Sequence, residues 1–148
     1  RHRVPLFSRA PLSAIIDRGT FEKVGGFSGK QHLGDFELWH ILGRYYPVLL
    51  MPQGMVWYRV HDDQQSNDNR IDPYVPFKYL INELEHLNHP DCPLSSSSKQ
   101  YAIKNAKKAM GKMTVDCIMC LKFDKARQML NAANINFFTA LRYLILKK

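Results

Sequence analysis

The sequence has few cysteines and no long apolar run. Three cysteines occur among 148 residues, and an odd, sparse set argues against a disulfide framework and suits a reducing compartment. No apolar stretch reaches the roughly 18 residues of a membrane-spanning helix, and no segment has the pattern of a signal peptide. The chain opens with Arg1 rather than methionine, so we expect further sequence upstream.

The composition permits a folded core but leaves the partner open. Hydrophobic residues make up 45% of the chain, which argues against global disorder, and the length suits one domain. The formal net charge of +8 favours an anionic partner. Nucleic acid, a phosphorylated ligand and an anionic membrane face all fit, and the sign of the charge does not choose among them.

Two regions of the chain differ in glycine content and in the periodicity of their apolar residues. Residues 1–70 contain most of the glycines and mix short apolar runs with turns, whereas residues 71–148 have helical periodicity almost throughout. In the first region Asp35 is the predicted N-cap of a helix that ends at Gly43. The predicted strands are 12–16, 48–51 and 55–60, and the predicted helices are 20–24 and 36–42.

Helices dominate the second region. Asp72 and Pro73 predict the start of one helix, and the serine run 95–98 predicts a linker and cap before a long helix over about 97–121. Small residues on the apolar stripe of that helix, such as Ala106 and Cys117, predict close approach of a neighbour. The fold class is therefore α+β, with short strands and small helices followed by a mostly helical C-terminal bundle of about four helices.

Four short motifs follow one another between residues 15 and 66. A predicted helix ends at Gly25-Gly26-Phe27, Gly34-Asp35 precedes Leu38-Trp39, and Tyr58-Arg59-Val60-His61 comes last. Their order and spacing resemble glycosyltransferase family 2, whose fold is GT-A. The resemblance covers roughly residues 10–66, and each motif alone is weak, whereas the four in order are fairly specific.

The resemblance implies a function in sugar transfer. The chain would be the C-terminal part of an inverting glycosyltransferase that moves a sugar from a nucleotide-sugar donor to a hydroxyl of a glycan or lipid-linked acceptor. Residues 1–70 would be the acceptor-side part of a GT-A domain, and residues 71–148 a helical C-terminal extension. The implied setting is cytoplasmic, at the inner face of the membrane, in the synthesis of cell-envelope polysaccharide.

The donor half of such an enzyme is not evident in this sequence. That half has parallel strands alternating with helices and an Asp-x-Asp motif that holds metal and nucleotide, and neither is present here. We therefore expect the intact enzyme to be active and this fragment alone to be inactive.

Asp35 is the predicted catalytic residue. An acceptor hydroxyl is a poor nucleophile until a base takes its proton, and Asp35 matches the aspartate that serves as that base in the family. The family usually has Glu-Asp at this point, whereas this chain has Gly34-Asp35, so the supporting role of the glutamate is absent. The alternative interpretation is that Asp35 only caps its helix.

Arg59 and His61 are the predicted cofactor-binding residues. In related enzymes this region lies near the diphosphate and its divalent cation, Mg or Mn. A neutral imidazole at His61 would ligate the metal, and Arg59 would offset phosphate charge. The alternative is a surface histidine after an edge strand, with Arg59 paired to a carboxylate.

Gly26, Phe27 and Trp39 are the predicted substrate-binding residues. The Gly-Gly-Phe turn would form a wall of the acceptor site, and the indole of Trp39 would stack on a sugar. Each has a structural alternative, because the turn also stops a helix with Phe27 as a hydrophobic plug, and a tryptophan also anchors a helix.

Other classes of function stay open. The main rival is a non-catalytic helical module in which residues 97–146 bind a protein partner. No nucleic acid is expected, because the lysines of the long helix lack interleaved aromatic residues. The last helix, which is apolar with a basic flank, fits either peripheral contact with an anionic membrane or burial within the domain. Cys117 and Cys120 lie on an apolar stripe, which argues against a zinc site.

Overall fold

The structure, a computed structural model, describes residues 14–49 and 72–145. The chain divides into two compact units, Arg1–Asp62 and Asp63–Lys148. No helix in the described ranges combines the length and apolar character needed to cross a membrane. The helices are α1 (Arg18–Lys23), α2 (Gly34–Tyr45), α3 (Tyr74–Asn88), α4 (Ser96–Met119), α5 (Phe123–Ala132) and α6 (Phe137–Leu144).

The α+β prediction is wrong for the part of the chain that the structure describes. Of those residues 68% are helical and none forms a strand, so the fold class is helical. Residues 14–16 of the first predicted strand are irregular and lead into α1, with Ile15 88% exposed. Val48 and Leu49 of the second are also irregular and exposed. Their apolar side chains lack the packed face that stabilises a strand.

Two other predictions about the first region cannot be compared with the structure. The third predicted strand, 55–60, lies outside the described residues, and so does the predicted boundary between residues 70 and 71. Both stay predictions.

The second unit is built around α4, which contacts α3, α5 and α6. Its core cluster joins Phe77 of α3, Met110 and Cys117 of α4, and Ala126 and Met129 of α5. Burying a side chain as large as Phe77 or Met129 contributes about 1.5–3 kcal/mol, so this cluster is the main source of cohesion among α3, α4 and α5. Burial also raises the pKa of the Cys117 thiol.

Helices α4 and α6 approach each other closely at Gly111. A Cβ placed on Gly111 would lie 2.5 Å from the carbonyl oxygen of Ala140 and 2.9 Å from Cβ of Tyr143. Neither distance is compatible with a real methyl group, so only glycine fits at this point. Close approach of a neighbouring helix therefore occurs at Gly111, which the predicted stripe did not include, and Ala106 and Cys117 of that stripe are buried.

Asp72 joins the start of α3 to α5. Its Oδ1 accepts a hydrogen bond from the N–H of Tyr74 at 3.0 Å, and its Oδ2 accepts one from Nζ of Lys125 at 2.8 Å. Partial burial opposes ionisation, but these bonds and the charges of Lys125 and Lys78 outweigh it and lower the pKa of Asp72. The helix start predicted at Asp72-Pro73 is confirmed, since Pro73 is the N-cap of α3.

Gly111→Ala should destabilise the second unit by about 1–3 kcal/mol, because the added methyl group would overlap the backbone of α6 and force the two helices apart. Thermal or urea unfolding followed by circular dichroism at 222 nm measures the change. Lys112→Ala is the matched control, since it alters the next, exposed residue of α4 and should change stability by less than about 0.5 kcal/mol. Equal stability of Gly111→Ala and wild type would contradict the close approach.

Asp72→Asn should lower the free energy of unfolding by about 0.5–1 kcal/mol at pH 7, because it removes the charge that pairs with Lys125. The amide keeps an oxygen that can accept the hydrogen bond from the N–H of Tyr74. The folded-state pKa of Asp72 is depressed, so the stabilisation is present above the unfolded value of about 3.9 and is lost as pH falls through the folded pKa. Urea unfolding of both proteins at pH 7 and at pH 3 tests this.

The difference in unfolding free energy between the two proteins should therefore be larger at pH 7 than at pH 3. Asp116→Asn, an exposed carboxylate near the C-terminal end of α4, is the control and should not destabilise the protein at pH 7. If Asp72→Asn lowers the free energy of unfolding equally at both pH values, the charge of Asp72 is not the source of the stabilisation.

Candidate functional site

Helix α1 begins and ends with well-defined caps. Asp17 is the N-cap, and its Oδ2 accepts a hydrogen bond from the N–H of Thr20 at 2.8 Å. That backbone hydrogen bond is the main reason why the pKa of Asp17 is lowered. The helix ends at Lys23, close to the predicted end at residue 24, and the two glycines follow its C-cap, Val24.

The Gly25-Gly26 turn reverses the chain after α1. The N–H of Gly25 bonds to the carbonyl of Glu22 at 3.1 Å, and that of Gly26 bonds to the carbonyl of Phe21 at 3.0 Å. This paired pattern is the Schellman motif, which requires a left-handed residue directly after the helix. Gly25 and Gly26 have φ values of 88° and 65°, a region that other residues enter only at a cost.

Two phenylalanines fix the direction in which the chain leaves this turn. The rings of Phe21 and Phe27 pack edge to face, with centroids 5.4 Å apart. A Cβ on Gly26 would lie 3.0 Å from the Phe21 ring, so the ring covers the glycine. Phe27 is still 49% exposed. It is therefore both the predicted hydrophobic plug and a surface that a ligand can contact.

The loop after Phe27 folds back onto the start of α2. The N–H groups of Leu33 and Gly34 donate to the carbonyl of Lys30 at 3.2 and 3.0 Å. Nζ of Lys30 lies 2.6 Å from Oε1 of Glu37, in the first turn of α2. Oγ of Ser28 lies 4.0 Å from the position of a Cβ on Gly34. The Gly-Gly-Phe turn and the beginning of α2 are thus brought close together.

Asp35 is the second residue of α2, so its prediction as the N-cap is wrong. Leu33 is the N-cap and makes no side-chain capping bond. Oδ1 of Asp35 accepts the N–H of Phe36 at 2.8 Å, which is the one hydrogen bond of this carboxylate among the described residues. Asp35 is half-buried. Its Oδ2 makes no further hydrogen bond among these residues and is not fully buried.

Trp39 lies one helical turn after Asp35 on the same side of α2. It is half-buried, and its neighbour Leu38 and also Leu42 are buried. The helix runs past Gly43 to Tyr45, so the predicted end at Gly43 is wrong, and Tyr46 and Pro47 follow as an extended segment. Trp39 therefore has both a packed part that anchors α2 and an accessible part.

Gly34 is not required by the backbone. Its φ is not in the left-handed region, and a Cβ there would have its nearest neighbours at 3.9 and 4.0 Å, which are ordinary contacts. The glutamate that the family resemblance implies at this position could therefore place its Cβ without a steric clash.

Arg59 and His61 lie outside the described residues, so their predicted roles stay predictions. Within the described ranges, no group of three histidine, cysteine or acidic side chains is arranged to hold a metal ion. Gly26, Phe27, Asp35 and Trp39 thus lie on one continuous segment of the first unit, which runs from the turn after α1 to the middle of α2.

The sequence interpretation missed three contributors to this arrangement. Phe21 precedes Gly26 by five residues, which is the spacing of the hydrophobic contact that accompanies a Schellman motif, so a signal for it was available. Lys30 and Glu37 are seven residues apart across a loop, and no local spacing rule predicts such an ion pair. Ser28 likewise becomes adjacent to Gly34 only because the loop folds back.

Comparison with known protein families, with curated proteins and with solved structures finds no match for this chain.

Gly26→Ala should destabilise the first unit by about 1–2 kcal/mol, because the left-handed backbone conformation is unfavourable for alanine and the added methyl group would contact the Phe21 ring. Both tryptophans of the chain, Trp39 and Trp57, lie in the first unit, so tryptophan fluorescence during urea unfolding reports on this unit. Gly34→Ala is the matched control and should be neutral or stabilising, since its backbone is helical and uncrowded. Equal effects of the two variants would contradict the proposed turn.

Proposed function

We propose that this chain supplies the acceptor side of an inverting, nucleotide-sugar-dependent glycosyltransferase, with Asp35 as the general base. The observation that carries the proposal is the position of Asp35. Its carboxylate lies in the first turn of α2, beside a loop that leads back to the exposed ring of Phe27, and one of its oxygens has no hydrogen-bond partner among the described residues.

The chemistry needs one accessible carboxylate. In the proposed reaction the acceptor oxygen forms a bond to the anomeric carbon as the bond from that carbon to the diphosphate oxygen breaks. The hydroxyl proton goes to Oδ2 of Asp35, and the bonding electrons leave with the nucleoside diphosphate. Attack opposite to the leaving group inverts the configuration. A fixed base within hydrogen-bond reach of the hydroxyl typically contributes about 10²–10⁴-fold to the rate.

The surroundings of Asp35 support this role. The start of a helix is electropositive and stabilises an anion there by about 0.3–1 kcal/mol. The other acid of the first turn, Glu37, pairs with Lys30 at 2.6 Å and is only 13% exposed, so its charge is neutralised locally. Asp35 is therefore the acidic group of this turn that stays available for chemistry.

Phe27 and Trp39 provide aromatic surface before and after the proposed base along the chain. Phe27 is exposed at the end of the turn after α1, and Trp39 lies one turn along α2 from Asp35. Sugars present apolar C–H faces that pack on aromatic rings, and the Phe27 ring is held in place by its edge-to-face contact with Phe21. They would orient the acceptor so that its hydroxyl meets Oδ2.

The donor side of the proposal rests on residues beyond those described. His61 would ligate a Mg or Mn ion and Arg59 would face the diphosphate, where the metal offsets the charge of the leaving group. The remaining donor contacts would come from elsewhere in the intact enzyme, which would act on a glycan or lipid-linked acceptor at the cytoplasmic face of a membrane. On this proposal the 148-residue chain by itself transfers no sugar.

A non-catalytic interaction module is the second candidate. The observation in its favour is an open groove of about 350 Å³ in the second unit, lined mainly by apolar parts of α3, α4 and α5, including Ile81, Leu84 and Met110. None of the predicted site residues lines this groove. A module of this kind would need no base at position 35.

Asp35→Asn in the intact enzyme should lower kcat by about 10²–10⁴-fold, because the amide cannot accept the proton. Release of nucleoside diphosphate from a panel of nucleotide sugars measures turnover, and circular dichroism checks the fold. Glu22→Gln, which alters an exposed carboxylate of α1, is the control and should leave kcat unchanged. Unimpaired turnover by Asp35→Asn would favour the module.

A further inference from the structure

The net positive charge of this protein comes from the C-terminal part of the sequence. Residues 96–148 contain eleven lysines and arginines and two acidic residues, whereas residues 1–95 contain ten basic and eleven acidic residues. The first part therefore has a net charge of −1 and the last 53 residues a net charge of +9. Helices α4, α5 and α6 all lie in the strongly basic part.

Helix α6 is apolar on two sides. Its inner side packs on α4 through Ala140, which is fully buried. On its opposite side, Phe138 is 77% exposed, Leu141 39% and Ile145, the C-cap, 73%. These three residues follow the i, i+3, i+7 spacing of one helix face. We call Phe138, Leu141, Ile145 and the exposed Arg142 between them the outer face of α6.

Lysines of α4 flank this helix. Ala140 lies against Gly111, and Tyr143, one turn later in α6, lies 5.7 Å from Nζ of Lys107, one turn earlier in α4. Lys104 lies about one helical turn before Lys107 in α4, and Lys108 is adjacent and exposed. Helix α6 thus combines an apolar outer face with Arg142 on the helix itself and basic side chains on its neighbour α4.

We propose that the outer face of α6 docks on the surface of an anionic lipid bilayer. Apolar side chains would enter the interface between headgroups and acyl chains, while Arg142 and the lysines of α4 would contact the headgroups. This combination of an apolar strip and a basic cluster supplies the two signals that stable peripheral attachment requires. The proposal concerns the second unit alone and does not depend on sugar transfer.

The side-chain chemistry favours a bilayer over the other anionic partners. A nucleic acid would use the lysines but would leave Phe138 and Ile145 exposed, and the basic stretch of α4 has only Tyr101 for stacking on bases. A protein surface that matched both features would need a hydrophobic groove ringed with acids. An anionic bilayer presents both chemistries over any area, and each lysine near its surface contributes about fivefold to binding.

Co-sedimentation of the 148-residue chain with vesicles tests the proposal. Vesicles of phosphatidylcholine containing phosphatidylglycerol should bind the protein, and vesicles of phosphatidylcholine alone should bind it far more weakly. Binding should fall with added salt, because the headgroup contacts are screened. Equal binding to neutral vesicles, or binding to a DNA duplex with none to anionic vesicles, would overturn the proposal.

Variants identify the surface that binds. Phe138→Gln combined with Ile145→Gln should weaken binding to anionic vesicles by at least about tenfold. The reason is that two apolar side chains that would be buried in the bilayer are replaced by polar ones. The double variant Ile15→Gln and Leu49→Gln is the control, because these residues are 88% and 85% exposed in the first unit and should not matter. Circular dichroism confirms that each variant folds.

The electrostatic part is tested separately. Lys104→Gln combined with Lys108→Gln should weaken binding by about fivefold per lysine at low salt and by less at high salt. Unchanged binding by the Phe138→Gln and Ile145→Gln variant, or an equal loss in its first-unit control, would refute the assignment of this face.

Discussion

The candidate site depends on a helix end whose left-handed backbone favours glycine. Helix α1 closes with two backbone hydrogen bonds that hold Gly25 and Gly26 at positive φ, and this fixes where the chain goes next. Phe27 then packs on Phe21, and the loop returns to the first turn of α2. The turn therefore sets the course of the backbone that leads from α1 to the helix that carries Asp35.

The second unit uses the same kind of helix end with different residues. The N–H groups of Leu121 and Lys122 bond back to the carbonyls of Ile118 and Cys117 at 2.9 and 2.8 Å. Leu121 has a φ of 58°, which costs a leucine about 1–2 kcal/mol. The turn after α5 has Asn134 in that position, a residue that tolerates it better. The core around Phe77 and Met129 offsets the strain at Leu121.

The accuracy with which the sequence predicts the secondary structure differs between the two regions of the chain. Periodicity and caps identify α3 to α6, because apolar spacing and residues such as Asp72 and Ser95 act locally. The strands fail because apolar runs such as Val48-Leu49 also occur in exposed, irregular segments. The position of Gly111 against α6 and the Lys30–Glu37 pair depend on contacts between distant segments, which no local pattern encodes.

For the candidate site, residue type is more predictable than geometry. The Gly-Gly-Phe turn forms as predicted because glycine chemistry dictates it. Asp35 lies in the first turn of α2 rather than at the N-cap, since the helix starts earlier, at Gly34. In that position Oδ1 accepts a hydrogen bond from the N–H of Phe36 at 2.8 Å.

A structure of the intact enzyme with nucleoside diphosphate and acceptor bound tests the central claim most directly. The account predicts that Oδ2 of Asp35 lies within about 3.2 Å of the acceptor hydroxyl, or is joined to it by one water. An acceptor hydroxyl far from this carboxylate, with another group in position to take its proton, would contradict the account.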